Sequence, residues 1–342
     1  MNPREPRGAR RAHAAVVYNP ATAEIDLVRR VVSDQERRAG WGRSRWFETA
    51  REDSGRLAAE TALGGHPAVV IVVGGDGTAR AVGEAAYQQG VPIALVPTGT
   101  GNLLARNLGL PLRDVEACVA MGFTGSARAI DIGMAEIQRE DGRRTEHVFL
   151  VMAGIGLDAA MAERTSALAK KHLGWLAYVS PIARSVLANR LVHLDYRVDR
   201  GRVRSTSAHT IIVGNCGTLT GNMLLIPAAV VDDGLLDVVM MRPRGRFEWA
   251  RIGTRLTVQG ISRRSRMSRR LLRGSPDLRA LVYAQGRRFE ARFDMPHGIE
   301  LDGDGFGEMV RARISVLPGA LNVLVAPGSG MVTPSCASPP GG

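Results

Sequence analysis

Cysteine is nearly absent from this 342-residue chain: Cys118, Cys216 and Cys336 are the only three, and no two stand at metal-ligand spacing. That argues against a disulfide framework and a structural zinc site, and a reducing compartment is expected. Long apolar runs are missing as well. A membrane-spanning helix needs about 18 uninterrupted apolar residues, whereas the stretch 148–157 stops at Asp158. The apolar run 14–18, behind Arg4, Arg7, Arg10 and Arg11, is too short for a secretion signal. A cytoplasmic protein that associates peripherally with membranes is expected, with a basic disordered tail over 1–12. Acidic side chains are in deficit, 33 Asp and Glu against 45 Lys and Arg, for a formal charge of +12. An anionic partner follows: nucleotide, anionic lipid or nucleic acid. The densest basic segment, 263–273, holds Arg263, Arg264, Arg266, Arg269, Arg270 and Arg273, after Trp249, Ile252, Leu256 and Ile261. It can dock on an anionic membrane, each charge contributing about 1 kcal/mol near the surface. A solvated charged helix or loop is the alternative.

What is present is a repeating pattern. Short runs that are apolar throughout, 14–18, 67–73 and 93–96, alternate with helical spacing over 23–39, 56–63, 79–89 and 103–108. Strands without polar alternation suit a parallel sheet covered on both faces, so an α/β domain is expected over 13–130. After Asp131 the pattern turns to strand-like alternation at 193–198, 208–213, 236–241, 289–293 and 310–316, interrupted by helical spacing over 159–191. This predicts a second, antiparallel β-rich domain over 131–318, with a cleft between the two. A final strand over 319–326, free to return to the first domain, precedes a Pro, Gly and Ser-rich tail, 327–342, that should be disordered.

The run 69–73 leads straight into Gly74-Gly75-Asp76-Gly77-Thr78 and then into helical spacing. Glycines let a backbone approach phosphate closely, Thr78 can cap the helix, and the exposed N–H groups with the helix dipole attract negative charge. A tight turn is the plain alternative. Asp76 favours the functional reading, because a carboxylate among such amides implies a cation or a proton to handle. Neither a Walker loop nor a dinucleotide fingerprint fits, for want of a Gly-Lys-Ser/Thr ending and of a third glycine at the required spacing. A second glycine loop, Pro97-Thr98-Gly99-Thr100-Gly101-Asn102, again follows a buried strand and opens a helix. A polyphosphate spanning both loops is the economical explanation. Asn19-Pro20 would add a third wall.

With Asp233-Gly234-Leu235-Leu236-Asp237 and Leu301-Asp302-Gly303-Asp304 added, four ordered motifs span most of the chain. Together they resemble the diacylglycerol kinase catalytic-domain family, which includes bacterial lipid kinases and the sphingosine and ceramide kinases. The resemblance implies an N-terminal α/β nucleotide-binding domain, a C-terminal antiparallel β-sandwich with the lipid site, and ATP with Mg²⁺ in the cleft. It assigns ATP contacts to Asn19, Pro20, Ala21, Thr22, Ala23, Thr49, Gly74, Gly75, Asp76, Gly77, Thr78, Ala79, Arg80, Thr100, Gly101 and Asn102. Asp304 matches the proton acceptor, with Asp302 and Asp76 beside it as catalytic carboxylates. A structural cation falls on Val230, Asp233 and Leu235, and Asp131 matches an acidic residue of the magnesium network. The implied activity is phosphorylation of a hydroxyl of diacylglycerol or a related membrane lipid. No nucleic-acid partner is expected, and a homodimer is left open.

The chain departs from the family pattern in places. Arg80 and Ala81 stand where an Asn-Glu pair is usual, and Arg80 can pair with Glu84 one turn on or with phosphate oxygens. The first loop ends at Ala23 rather than in Ser and Gly, and 217–223 is poorer in glycine than usual. Asp304 replaces a Glu, one methylene shorter. Asp158 can face the lipid headgroup or cap a helix. His193, His209 and His297 show no metal-triad spacing, and Met152, Met161, Met240 and Met241 suit core packing. Two rival functions remain: an NAD kinase-like phosphotransferase, and a non-catalytic, nucleotide-regulated membrane-binding module.

Overall fold

Four parallel strands alternate with helices in the first third of the chain: β1 (Ala14–Tyr18), α1 (Ile25–Ala39), β2 (Arg45–Glu48), α2 (Arg56–Gly64), β3 (Val69–Gly74), α3 (Asp76–Ala86) and β4 (Ile93–Pro97). Two further helices follow, α4 (Leu103–Asn107) and α5 (Val115–Thr124). The computed structural model describes residues 11–50, 53, 55–156, 191–217, 226, 229–242 and 281–328. Strands β1 and β3 are buried from end to end apart from Tyr18, as their unbroken apolar sequences require. Helix α1 packs with α5 and helix α2 with α3, covering the sheet on two sides. The strand order is β2-β1-β3-β4. The connection from β1 therefore leaves one way and that from β3 the other, so a switch point lies between their carboxyl ends, where open α/β sheets bind ligands.

Ten strands follow, β5 (Ser126–Gln138), β6 (Arg144–Phe149), β7 (Met152–Ile155), β8 (Val192–Val198), β9 (Arg204–Ala208), β10 (Thr210–Gly214), β11 (Leu236–Met241), β12 (Leu281–Gly286), β13 (Arg288–Leu301) and β14 (Asp304–Val325). Among the described residues they are hydrogen-bonded in the order β12-β11-β10-β7-β13-β14, with β5 joined to β14 and β6 to β5, and β8 joined to β13 and β9 to β8. Strand β14 is the joint of the molecule. It pairs with β13 and β5 antiparallel, and near its end Val323 pairs in parallel with Ile93 of β4. The run 310–316 and the expected final strand, 319–326 but for its last residue, thus belong to one strand whose register breaks between Leu317 and Leu321, at Pro318-Gly319. A separate apolar core fills the second half, with Phe149, Phe289, Ile155 and Ile211 among its fully buried side chains.

Strand β6 ends at Phe149, whose ring lies over Gly133 of β5: a Cβ there would stand 2.0 Å from the ring. The next two residues, Leu150 and Val151, are buried.

Candidate active site

The glycine turns are built on strand ends. Asn19, at the end of β1, donates its N–H to Val73 O at 2.9 Å, and its Oδ1 accepts from Ala21 N at 3.0 Å, closing a local turn over Asn19, Pro20, Ala21, Thr22 and Ala23. Thr49 follows β2 and donates its N–H to Tyr18 O at 2.9 Å. Thr22 reaches across to Thr98, hydroxyl to hydroxyl, at 3.1 Å. The Gly74 to Thr78 turn and the Pro97 to Asn102 loop touch backbone to backbone: a Cβ on Gly99 would stand 2.5 Å from the Gly75 Cα. Part of the glycine requirement is therefore this close approach. Asn102 staples its loop, accepting from Gly99 N at 3.0 Å and donating to Gly99 O at 2.7 Å. Thr100 is exposed, and Gly101 O accepts from Arg106 Nε at 2.8 Å. The first N–H groups of α3, at Asp76, Gly77 and Thr78, have no acceptor within the helix and form the electropositive end of the site, with Ala79 already bonded to Gly75 O.

Asp76 joins the two loops. Its Oδ1 accepts the N–H of Leu104 at 3.2 Å, so this residue of the first turn ties down the start of α4. Burial pushes its carboxyl above the usual range, opposed by the N–H groups of Leu104, Leu103 and Asn102.

Asp302 and Asp304 arrive from the turn between β13 and β14, and they do different things. Asp302, at φ +51, is enclosed: Leu150 N donates to Oδ2 at 2.7 Å, and Val151 N and Met152 N each donate to Oδ1 at 2.9 Å. Both its oxygens are engaged with backbone, so Asp302 is an anchor for the turn. Burial pushes it up to about 7 against the pull of these donors, and Asp76 adds to the rise. Asp304 lies against the glycine turn, its Oδ2 3.1 Å from where a Cβ on Gly77 would be. Arg80, only 5% exposed, donates to that oxygen at 2.9 Å and to Glu84 at 3.3 Å. The structure thus gives Arg80 both the partner the sequence suggested and one from the far end of the chain.

Asp131 sits elsewhere. Its carboxylate accepts from Gly234 N at 2.6 Å and Gly319 N at 2.8 Å, binding the loop of Val230, Asp233 and Leu235 to the bend in β14. Asp233 accepts from Leu235 N at 3.0 Å; burial pushes it up, and Asp237, Asp131 and Asp232 reinforce the rise. Among the described residues no group of three or more His, Cys, Asp or Glu could hold a metal. A hard cation needs only one carboxylate with carbonyl oxygens, and the crowding of negative charge around Asp233 is what a cation would relieve. Buried Asn215, which sequence reading did not single out, links the two regions: its Nδ2 donates to Asp131 O at 2.8 Å and to Leu150 O at 3.1 Å. An Asn-Cys-Gly run closing a buried strand was the only signal it offered. Asp158 and the basic segment 263–273 lie outside the described residues. No described helix is long and apolar enough to cross a membrane.

Comparison with known proteins finds relatives over most of the chain. Residues 13–135 match the diacylglycerol kinase catalytic domain, and residues 151–325 match the YegS C-terminal NAD kinase beta sandwich-like domain. The "Probable lipid kinase YegS-like" protein of Pseudomonas aeruginosa is 31% identical over 82% of this chain and 84% of its own. A diacylglycerol kinase of Mycobacterium tuberculosis is 29% identical over 57% of this chain and 61% of its own. The chain spans about three-fifths of the length of the first curated relatives it matches. The crystal structure of a diacylglycerol kinase from Bacillus anthracis superposes with a TM-score of 0.64 at 16% identity, covering 94% of this chain and all of that one.

Proposed function

The chain belongs to the diacylglycerol kinase and YegS-like lipid kinase family, and we propose that it transfers the γ-phosphate of ATP to a hydroxyl of diacylglycerol or a related membrane lipid. The observation that carries this reading is the approach of Asp304 to the glycine turn at Gly77, which sets a partly exposed carboxylate beside the N-terminus of α3. A phosphate would lie on the N–H groups of Asp76, Gly77 and Thr78, with the rest of the nucleotide towards Asn19 to Ala23, Thr49, Thr100, Gly101 and Asn102. Asp76 borders the same place and suits magnesium, which when bound neutralises charge on the phosphate oxygens. The lipid oxygen attacks phosphorus in line, the bond to the bridging oxygen of ADP breaks, and Asp304 takes the hydroxyl proton. Asp302 holds the turn that aims Asp304. The lipid is met at the membrane surface, as a peripheral enzyme would meet it.

The test uses the full chain with labelled ATP, magnesium and a panel of lipids in mixed micelles, with NAD in a parallel reaction. Labelled lipid, unlabelled NAD and a roughly 10²- to 10⁴-fold loss in Asp304→Asn are expected. Labelled NADP without labelled lipid, or an undiminished Asp304→Asn, overturns the reading.

A further inference from the structure

A buried guanidinium needs counter-charge and donors satisfied on every side, since an unpaired one is costly to desolvate. Arg80 draws two ion pairs and an aromatic face from three parts of the chain, while its buried Nε has no hydrogen-bond partner among the described residues. Nη2 binds Asp304 Oδ2 at 2.9 Å and Nη1 binds Glu84 Oε2 at 3.3 Å. Its guanidinium carbon lies 4.8 Å from the ring centre of Phe306, two residues beyond Asp304. Phe306 packs in turn on His147 of β6, ring centres 4.5 Å apart, and His147 Nδ1 stands 3.8 Å from Glu84 Oε1, which returns to α3. Arg139 donates to the carbonyls of Phe306 and Glu308. Two arginines thus hold the strand that carries Asp304, and Arg80 holds the carboxylate itself.

That grip is asymmetric in a useful way. Oδ2 of Asp304 is held by Arg80 and pressed against Gly77, whereas Oδ1 has no hydrogen-bond partner among the described residues. The carboxylate is therefore fixed in one orientation with one oxygen left to work. The reach is also matched: a long cation at position 80 meets a short acid at position 304, whose Oδ2 already lies 3.1 Å from where a Cβ on Gly77 would be, so a longer acid disturbs the Arg80 contact. Both are positions at which the sequence departs from the family pattern, and the fold brings them into contact.

We propose that Arg80 is a positioning residue for phosphoryl transfer, holding Asp304 by one oxygen so that the other accepts the proton, and that residues 80 and 304 act as one length-matched unit. The proposal rests on the kinase reading above. Arg80 acts through Asp304 and does not bind the nucleotide. Removing it frees the carboxylate to rotate and leaves Glu84 and Asp304 uncompensated beside the phosphate site, which slows the chemical step more than it weakens ATP.

Single-turnover lipid phosphorylation at saturating ATP and magnesium, with ATP affinity measured separately by a fluorescent nucleotide, tests this in five chains: parent, Arg80→Gln, Arg80→Lys, Asp304→Glu, and Arg80→Lys with Asp304→Glu. Glutamine keeps a donor and much of the length, so folding is preserved where alanine could fail. Arg80→Gln should lose about 10- to 100-fold in rate with ATP affinity changed less than about 3-fold, and Arg80→Lys should recover part of the loss. The double variant should turn over faster than Asp304→Glu alone, because the shorter cation gives room to the longer acid. A roughly tenfold loss of ATP affinity in Arg80→Gln with the saturated rate intact would make Arg80 a phosphate ligand and overturn the proposal. So would rates unchanged from the parent, or additive losses in the double variant. A parent chain that phosphorylates no lipid sinks the kinase reading instead. The pair is then judged from thermal unfolding of Arg80→Gln, Asp304→Asn and their double, where additive shifts overturn it.

Discussion

At the scale of single residues, carboxylates that look alike in the sequence do different work because of what donates to them. Asp302 takes three backbone N–H bonds, so Asp302→Asn turns an amide N–H₂ towards at least one of the donors at Leu150, Val151 or Met152. Each N–H left without a partner costs about 1–3 kcal/mol, so this variant should unfold at a clearly lower temperature and lose activity without any change in its magnesium requirement. A parent-like melting curve with a raised magnesium requirement would show a metal role instead. Asp76→Asn behaves differently, since an amide oxygen still accepts from Leu104 N. That chain should melt within a few degrees of the parent, by about the value of one altered hydrogen bond, and yet lose turnover. Undiminished turnover in Asp76→Asn would remove Asp76 from the chemistry. Sequence alone could group Asp76, Asp302 and Asp304 because each abuts glycine in an ordered motif. It could not separate anchor from acceptor, since that distinction lies in N–H groups about 150 residues away. The same distance hid Arg80 and Asp304 from each other, 224 positions apart.

At the scale of elements, β5 and β6 must fit before Asp302 has anything to hold. Gly133 and Phe149 are directly paired across these strands, and the ring occupies the space a side chain at 133 would need. Gly133→Ala should cost about 1–3 kcal/mol of stability through overpacking, and should displace Leu150 enough to cut activity. Phe149→Leu in the same chain should restore part of the stability, measured by denaturant unfolding; a double variant no more stable than Gly133→Ala would mean that the ring is not the obstacle. Elements of this kind mark the limit of what pattern reading reaches. Strands β1, β3 and β4 were legible because burial on both faces leaves an unbroken apolar run, and helix α1 because its apolar residues recur at helical spacing. Strand β2, at the sheet edge with the mixed sequence Arg45-Trp46-Phe47-Glu48, carries no such run. Helix α5 was missed for the opposite reason, being apolar on most sides. The single long β14 read as two strands because Pro318-Gly319 interrupts the alternation at the bend.

At the scale of the whole molecule, buried carboxylates link stability to pH in an unusual direction. Burial pushes Asp76, Asp233, Asp237 and Asp302 up, Asp302 to about 7. A carboxyl whose folded value exceeds its unfolded value takes up protons on folding. The stability it contributes is complete below the unfolded value near 4 and is lost as pH rises through the folded one. For Asp302 that window runs from about pH 4 to about pH 7. Asp53 and Asp141, held low by backbone donors, work the other way but titrate below this window. His297 opposes within it, since burial holds its imidazole below the usual range and its folding releases protons. Asp302 carries the larger change across this window, so in EDTA the unfolding temperature should fall by roughly 5 °C between pH 5 and pH 7.5. Magnesium should return part of the loss at pH 7.5 and less at pH 5, because burial favours the protonated form of Asp233 and the proton competes with the cation. Asp233→Asn should abolish the magnesium effect while leaving the fall in EDTA largely in place, because Asp302 is untouched. Thermal scans of the two chains at the two pH values, with and without magnesium, decide the matter. An unfolding temperature that climbs from pH 5 to pH 7.5 in EDTA would mean that the backbone donors around Asp302 outweigh its burial, and a magnesium effect that survives Asp233→Asn would move the cation to another site.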